Sequence, residues 1–115
     1  MFEPGSRPPD ADVVDLSGTP RKLHGFRRRS HVLVLSYPSG RADALAARHL
    51  AEAQFWTWLQ VAFVRPAAPG IPPGNHLVSR WGGVIASYPA GDWDKDLIES
   101  DLLRWEARDC CEAGA

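Results

Sequence analysis

The clearest hydrophobic pattern is His31-Val32-Leu33-Val34-Leu35-Ser36-Tyr37, apolar at consecutive positions rather than alternating. A strand of this kind is buried on both faces, as at the centre of a parallel sheet. Upstream, Val13-Val14-Asp15-Leu16 and Arg21-Lys22-Leu23 flank the turn residues Ser17-Gly18-Thr19-Pro20, which predicts a small hairpin. Downstream, Pro38-Ser39-Gly40 ends the strand. Residues 41–55 are Ala-rich, with Ala42, Leu45, Ala46, His49 and Ala53 on one side at helical spacing. Leu59 to Val64 reads as a further strand. Strand, helix and strand with short joints form a βαβ unit, whose strands pair in parallel through a right-handed crossover.

The second half reads differently. Residues 66–75 carry Pro66, Pro69, Pro72 and Pro73 and read as a loop. His76–Arg80 and Val84–Tyr88 flank Trp81-Gly82-Gly83, a hairpin with glycines at its turn. A closing helix starts near Asp96, where Asp96 and Glu99 have capping-box spacing, and Ile98, Leu102 and Trp105 form its apolar stripe. Residues 1–10 read as an irregular lead-in to a single domain spanning 1–115. The expected architecture is α/β and thioredoxin-like in connectivity. An N-terminal hairpin precedes βαβ and ββα units around a central four-stranded mixed sheet.

Composition narrows the function classes. A chain of 115 residues is one domain, large enough to fold without disulfides or metals. Net charge is −1, and the one cationic run, Arg27-Arg28-Arg29, reads as a solvated loop rather than a nucleic-acid patch. The apolar runs are strand-sized, too short to span a membrane, and no signal peptide is visible. Arg outnumbers Lys eleven to two beside abundant Ala, Pro and Gly, a usage that suggests a GC-rich bacterial coding sequence. Two adjacent cysteines make no disulfide framework, so the cytoplasm is the expected compartment.

Three patches resemble the peroxiredoxin and alkyl-hydroperoxide-reductase group of the thioredoxin fold. Pro9-Asp10-Ala11-Asp12-Val13-Val14-Asp15-Leu16-Ser17-Gly18 is similar to the segment that precedes that group's reactive strand. Leu77-Val78-Ser79-Arg80-Trp81-Gly82-Gly83-Val84 resembles its later hairpin, with Ser79 at the acidic position. Leu102-Leu103-Arg104-Trp105 followed by Cys110-Cys111-Glu112-Ala113 resembles a subgroup ending in Trp and then Cys-Pro-Glu-Cys. The resemblance implies a reactive cysteine in the loop after Tyr37, at a helix start where the dipole and free N–H groups favour a thiolate. The loop here is Pro38-Ser39-Gly40-Arg41-Ala42-Asp43-Ala44-Leu45, without cysteine. Ser39 does not replace it, because an unassisted hydroxyl neither ionises near neutral pH nor reduces peroxide.

The chain therefore reads as a degenerate member of that group, lacking the peroxidatic cysteine and serving protein contact, with a partner or as a homodimer. Thiol-disulfide chemistry at Cys110 and Cys111 is the alternative. Neighbouring Cα atoms stand about 3.8 Å apart, closer than a bridge normally holds them, and a helix C-terminus disfavours a thiolate. Ser39, Gly40 and Arg41 offer N–H groups and a guanidinium that could hold an anion; the plainer reading is that Ser39 caps a helix. The resemblance also suggests Pro72 or Pro73 as the counterpart of the fold's cis-proline. His24, His31, His49 and His76 lack metal-ligand spacing, and the Asp92, Asp94, Asp96 alternation lacks the glycine and distal glutamate of a calcium loop. No metal or cofactor is expected.

Overall fold

The computed structural model describes residues 3–15, 17–36, 60–68, 70–89 and 95–113. The expected 41–55 helix, Tyr37, Leu59 and the Asp92–Asp94 stretch lie outside these residues.

Among them are six strands, β1 (Asp12–Asp15), β2 (Pro20–Lys22), β3 (His31–Ser36), β4 (Val61–Pro66), β5 (Gly74–Val78) and β6 (Val84–Tyr88), and the helix α1 (Lys95–Ala113). They form one mixed sheet in the order β2-β1-β4-β3-β5-β6. The four central strands are those expected, and the N-terminal hairpin extends them to six. β3 and β4 pair in parallel, from His31 opposite Val61 to Val34 opposite Val64. β3 and β5 pair antiparallel, from Val32 opposite Val78 to Ser36 opposite Gly74.

The unbroken apolar run of β3 is explained by its place. All six of its residues are buried. Leu33 and Leu35 join Phe63, Leu77 and Tyr88 beneath Ile98 and Leu102 of α1. Val32 and Val34 face the other way, into a cluster with Val13, Leu23, Val64, Ile71, Val78 and Val84. Each such side chain contributes about 1.5–3 kcal/mol when fully removed from water. The sheet therefore needs cover on both sides. Residues 3–10, without helix or strand, are still tied down beside the sheet. The Gly5 N–H donates to the Val84 carbonyl at 2.7 Å, the Val84 N–H to the Ser6 carbonyl at 2.8 Å, and the His24 N–H to Asp10 Oδ1 at 3.0 Å.

Several boundaries differ from expectation for local reasons. Gln60 has φ 56, a left-handed turn that delays β4 to Val61. Pairing with β1 then carries β4 on to Pro66, opposite Val13. β5 starts early, at Gly74, because it follows β3 to Ser36. There φ is 130, and a Cβ would overlap the Tyr88 carbonyl oxygen, so glycine is required. β5 ends at Val78, since the Ser79 N–H donates to the Gly83 carbonyl (2.8 Å) and closes the turn. Asp96 is the second residue of α1 and not its N-cap; it complements the helix dipole from within the first turn. No peptide bond among the described residues is cis, those at Pro72 and Pro73 included. None of the described helices is long and apolar enough to cross a membrane.

The β1–β2 turn is organised by one carboxylate. Asp15 Oδ1 accepts from Ser17 Oγ (2.6 Å) and from the Ser17 and Thr19 N–H groups (3.0 Å each), while Oδ2 accepts from Arg21 Nε (3.2 Å). The Ser17 hydroxyl first, and then the Thr19 amide, hold its pKa at about 2. The folded value lies below the unfolded one of 3.8, so the stabilisation is complete above about pH 4 and is lost as pH falls through about 2. A carboxyl-detected NMR titration should place the Asp15 midpoint near 2, and Asp15→Asn should remove the acid-sensitive step at this hairpin.

Candidate functional site

β3 defines two poles, about 17 Å apart at the rise of a six-residue strand. Its last residue, Ser36, leads into the Pro38–Leu45 segment. Its first, His31, meets the β5–β6 turn and α1. The described polar side chains gather at two places, one between the poles and one at the His31 end.

On the face of the sheet away from α1, His76 is fully buried. Its Nε2–H donates to the Pro72 carbonyl at 2.7 Å, so Nδ1 is the acceptor for the Ser87 hydroxyl at 2.9 Å. Burial lowers the pKa of His76, with the Pro72 carbonyl acting weakly the other way. Ser36 Oγ–H donates to the Ile71 carbonyl at 3.3 Å. These groups fasten the Pro-rich loop to the sheet. The serine sits on Nδ1 and the other ring nitrogen donates to a backbone carbonyl, with no carboxylate behind it, so this is a brace rather than a nucleophile–base pair. On the α1 side, the Tyr88 hydroxyl donates to Asp101 at 2.6 Å, and burial, together with that carboxylate, raises the phenol's pKa strongly.

The His31 pole is the more unusual arrangement. His31 is 1% exposed. Its Nδ1 accepts the Arg80 backbone N–H at 3.0 Å, so the proton resides on Nε2, which donates to Glu106 Oε1 at 2.5 Å. The same carboxylate oxygen accepts from the Arg80 guanidinium at 2.7 Å. The Arg80 guanidinium lies 5.5 Å from the Trp81 ring centre and 5.3 Å from that of Trp105, and Trp105 meets the His31 ring edge-on at 5.1 Å. One strand start, one turn and one helix are thus clasped by a buried neutral imidazole and a shared carboxylate. In the sequence His31 and Arg80 stand apart, and Glu106 is not singled out at all. Nothing local marks them, because they are 26 to 75 residues apart.

The turn itself is tightly satisfied. Ser79 Oγ accepts the Trp81 N–H (3.2 Å) and the Gly83 N–H (3.3 Å). Yet Trp81 is 47% exposed. The Arg27–Arg29 run meets the same turn at Arg80 and Gly82. The Arg28 N–H donates to the Arg80 carbonyl at 2.6 Å, and Arg28 takes a left-handed φ of 66, strain on the order of 1 kcal/mol.

Ser39, Gly40 and Arg41 lie outside the described residues. Cys110 and Cys111 lie in the α1 backbone, just beyond Glu106. The contacts Tyr88–Asp101 and His31–Glu106 fix the direction of α1, from the Ser36 pole towards the His31 pole. At 1.5 Å per residue, Cys110 follows Glu106 by about 6 Å along the helix, away from the end of β3 that leads into the 38–45 loop. Among the described residues no group of His, Cys, Asp and Glu could hold a metal ion.

No protein-family model and no curated protein matches the sequence. Solved structures do. The chain aligns with a peroxiredoxin-like protein from Aquifex aeolicus at a TM-score of 0.55 and 11% identity, over 90% of this chain and 88% of that one. It aligns with the thioredoxin domain of thiol-disulfide oxidoreductase BVU-2223 from Bacteroides vulgatus at 0.52 and 16%, over 94% and 98%. It aligns with BexE, studied for oxidation during BE-7585A biosynthesis, at 0.50 and 25%, over 89% of this chain but 21% of BexE. The fold is thioredoxin-like.

Two outcomes follow from the geometry. Glu106→Ala leaves the His31 N–H and the Arg80 guanidinium without their shared acceptor and should cost about 2–4 kcal/mol in denaturant unfolding; Glu106→Gln, which keeps one acceptor oxygen, should cost less. His76 stays neutral in the folded chain below the pH where an unfolded histidine takes up a proton. Stability should therefore fall as pH drops below 6.5, and His76→Gln should flatten that slope in unfolding curves at pH 7.5 and 5.5.

Proposed function

We propose that this chain is a thioredoxin-fold domain of the peroxiredoxin-like kind that lacks thiol peroxidase activity and works by contact with a protein partner, a second copy of itself included. The observation that carries the reading is where the cysteines fall along the chain. The segment after β3 contains no cysteine, and both cysteines belong to the far end of α1. A thiolate there would sit at the negative end of the helix dipole, the reverse of the arrangement that activates a peroxidatic cysteine.

The likeness to BexE supports an accessory role. There the matching region is about a fifth of a longer chain, in a protein concerned with oxidation. We accordingly place this domain alongside an oxidising enzyme, as a module that positions or stabilises, in the cytoplasm of a bacterium. The second reading, thiol-disulfide exchange at Cys110 and Cys111, rests on the resemblance of the C-terminal segment to a Cys-containing tail.

A peroxide-consumption assay with dithiothreitol as donor separates the two. The full chain should turn over no faster than its Cys110→Ser/Cys111→Ser variant. Thiol-dependent turnover that disappears in that variant would favour the second reading and end the first.

A further inference from the structure

We propose that the exposed Trp81 turn and the Arg27–Arg29 run together form a docking surface for an acidic protein segment that carries an apolar side chain. The inference rests on the reading of the chain as an interaction domain and names the surface involved.

Two distant stretches of sequence meet here. The Arg28 amide is bound to the Arg80 carbonyl, and the Arg27 side chain packs over Gly82, where an added Cβ would come within 3.1 Å of Arg27 Nε. Gly82 has φ 91, so the close approach and the left-handed turn both ask for glycine. The result brings the Arg27 side chain and the Arg28 backbone against the turn that carries the exposed Trp81.

The indole is already held. Its backbone amide is bound to Ser79 Oγ, and its ring has the Arg80 guanidinium at 5.5 Å. Arg80 is fixed in turn by Glu106. A large side chain that is exposed but ordered in advance loses little entropy on binding, and Trp beside Arg is the composition of interface anchors.

Charge selects the partner. Arg80 is balanced by Glu106, whereas Arg27, Arg28 and Arg29 are exposed and take part in no ion pair among the described residues. On a chain of net charge −1 they make a local positive field that favours carboxylates. Arg29 continues the patch into an open groove of about 600 Å³, which Phe26 and Pro20 also line. That gives an apolar side chain of the partner a place next to the cations. A protein segment fits better than a nucleic acid: single-strand binders stack successive bases on several aromatics along a groove, and among the described residues one indole is exposed on the patch.

The test uses the full chain and a fluorescein-labelled twelve-residue peptide of Asp and Glu with a central Leu-Phe pair. Its controls are the same peptide with Gln and Asn for the acids, and a twelve-nucleotide single strand. Anisotropy at 50 mM salt should show the acidic peptide binding at least tenfold more tightly than either control. The advantage should shrink at 300 mM salt. Trp81→Ala and the pair Arg27→Ser/Arg29→Ser should each weaken binding about tenfold while leaving the circular dichroism spectrum unchanged. Arg108→Ser, on the α1–β6 side, should bind as the parent does. Equal binding of the neutral peptide, tighter binding of the oligonucleotide, or unchanged affinity in both Trp81 and arginine variants would overturn the proposal. None of these results bears on peroxide turnover, so the docking surface and the non-catalytic reading stand or fall separately.

Discussion

A strand that is apolar on both faces cannot be left at the surface of a sheet, and that constraint on β3 organises the molecule. Leu33 and Leu35 demand cover on one side, which α1 supplies with Ile98 and Leu102. Val32 and Val34 demand it on the other, where Leu23 and Ile71 close over them with the facing strands. The neighbours of β3 follow from the same need. β4 and β5 flank it and satisfy its backbone, and the N-terminal hairpin continues the sheet beyond β4. A core built this way has little tolerance for displacement, because moving β3 uncovers two apolar layers at once.

Hydrophobic burial alone does not fix where α1 stops along the sheet. Two polar contacts in the middle of the helix supply that register. Tyr88 holds Asp101, and His31 with Arg80 holds Glu106 five residues further on. The His31 arrangement is exacting. A ring nitrogen that accepts a backbone N–H cannot carry a proton, so the imidazole has one tautomer, and its remaining N–H donates to Glu106. Such a fully matched polar set rigidifies without leaving a buried charge alone, since Glu106 answers Arg80 and remains partly exposed.

This division of labour has a functional side. The thioredoxin fold ordinarily concentrates chemistry at the end of its first central strand. Here the cluster of His31, Arg80 and Glu106 lies at the opposite end, with the cysteines beyond it along α1 and the exposed Trp81 at its rim.

The sequence by itself determined the α/β class, the order of the elements, the burial of β3 and the absence of cysteine after it. Each of these depends on periodicity, turn chemistry or residue identity over a few neighbouring positions, and such information is local. Boundaries that depend on pairing were not legible. Gly74 enters β5 because Ser36 lies opposite, and Gln60 turns left-handed before a strand that then continues to meet β1. The pole-to-pole placement of the cysteines was equally hidden, since it depends on which way α1 crosses the sheet. Only the tertiary structure joined His31, Arg80 and Glu106, because their partnership is a matter of charge and proton matching between elements far apart in the chain. It also changed the meaning of Arg27-Arg28-Arg29. In the sequence it is a solvated run; in the fold its Arg28 amide is bound to the Arg80 carbonyl and its Arg27 side chain packs over Gly82.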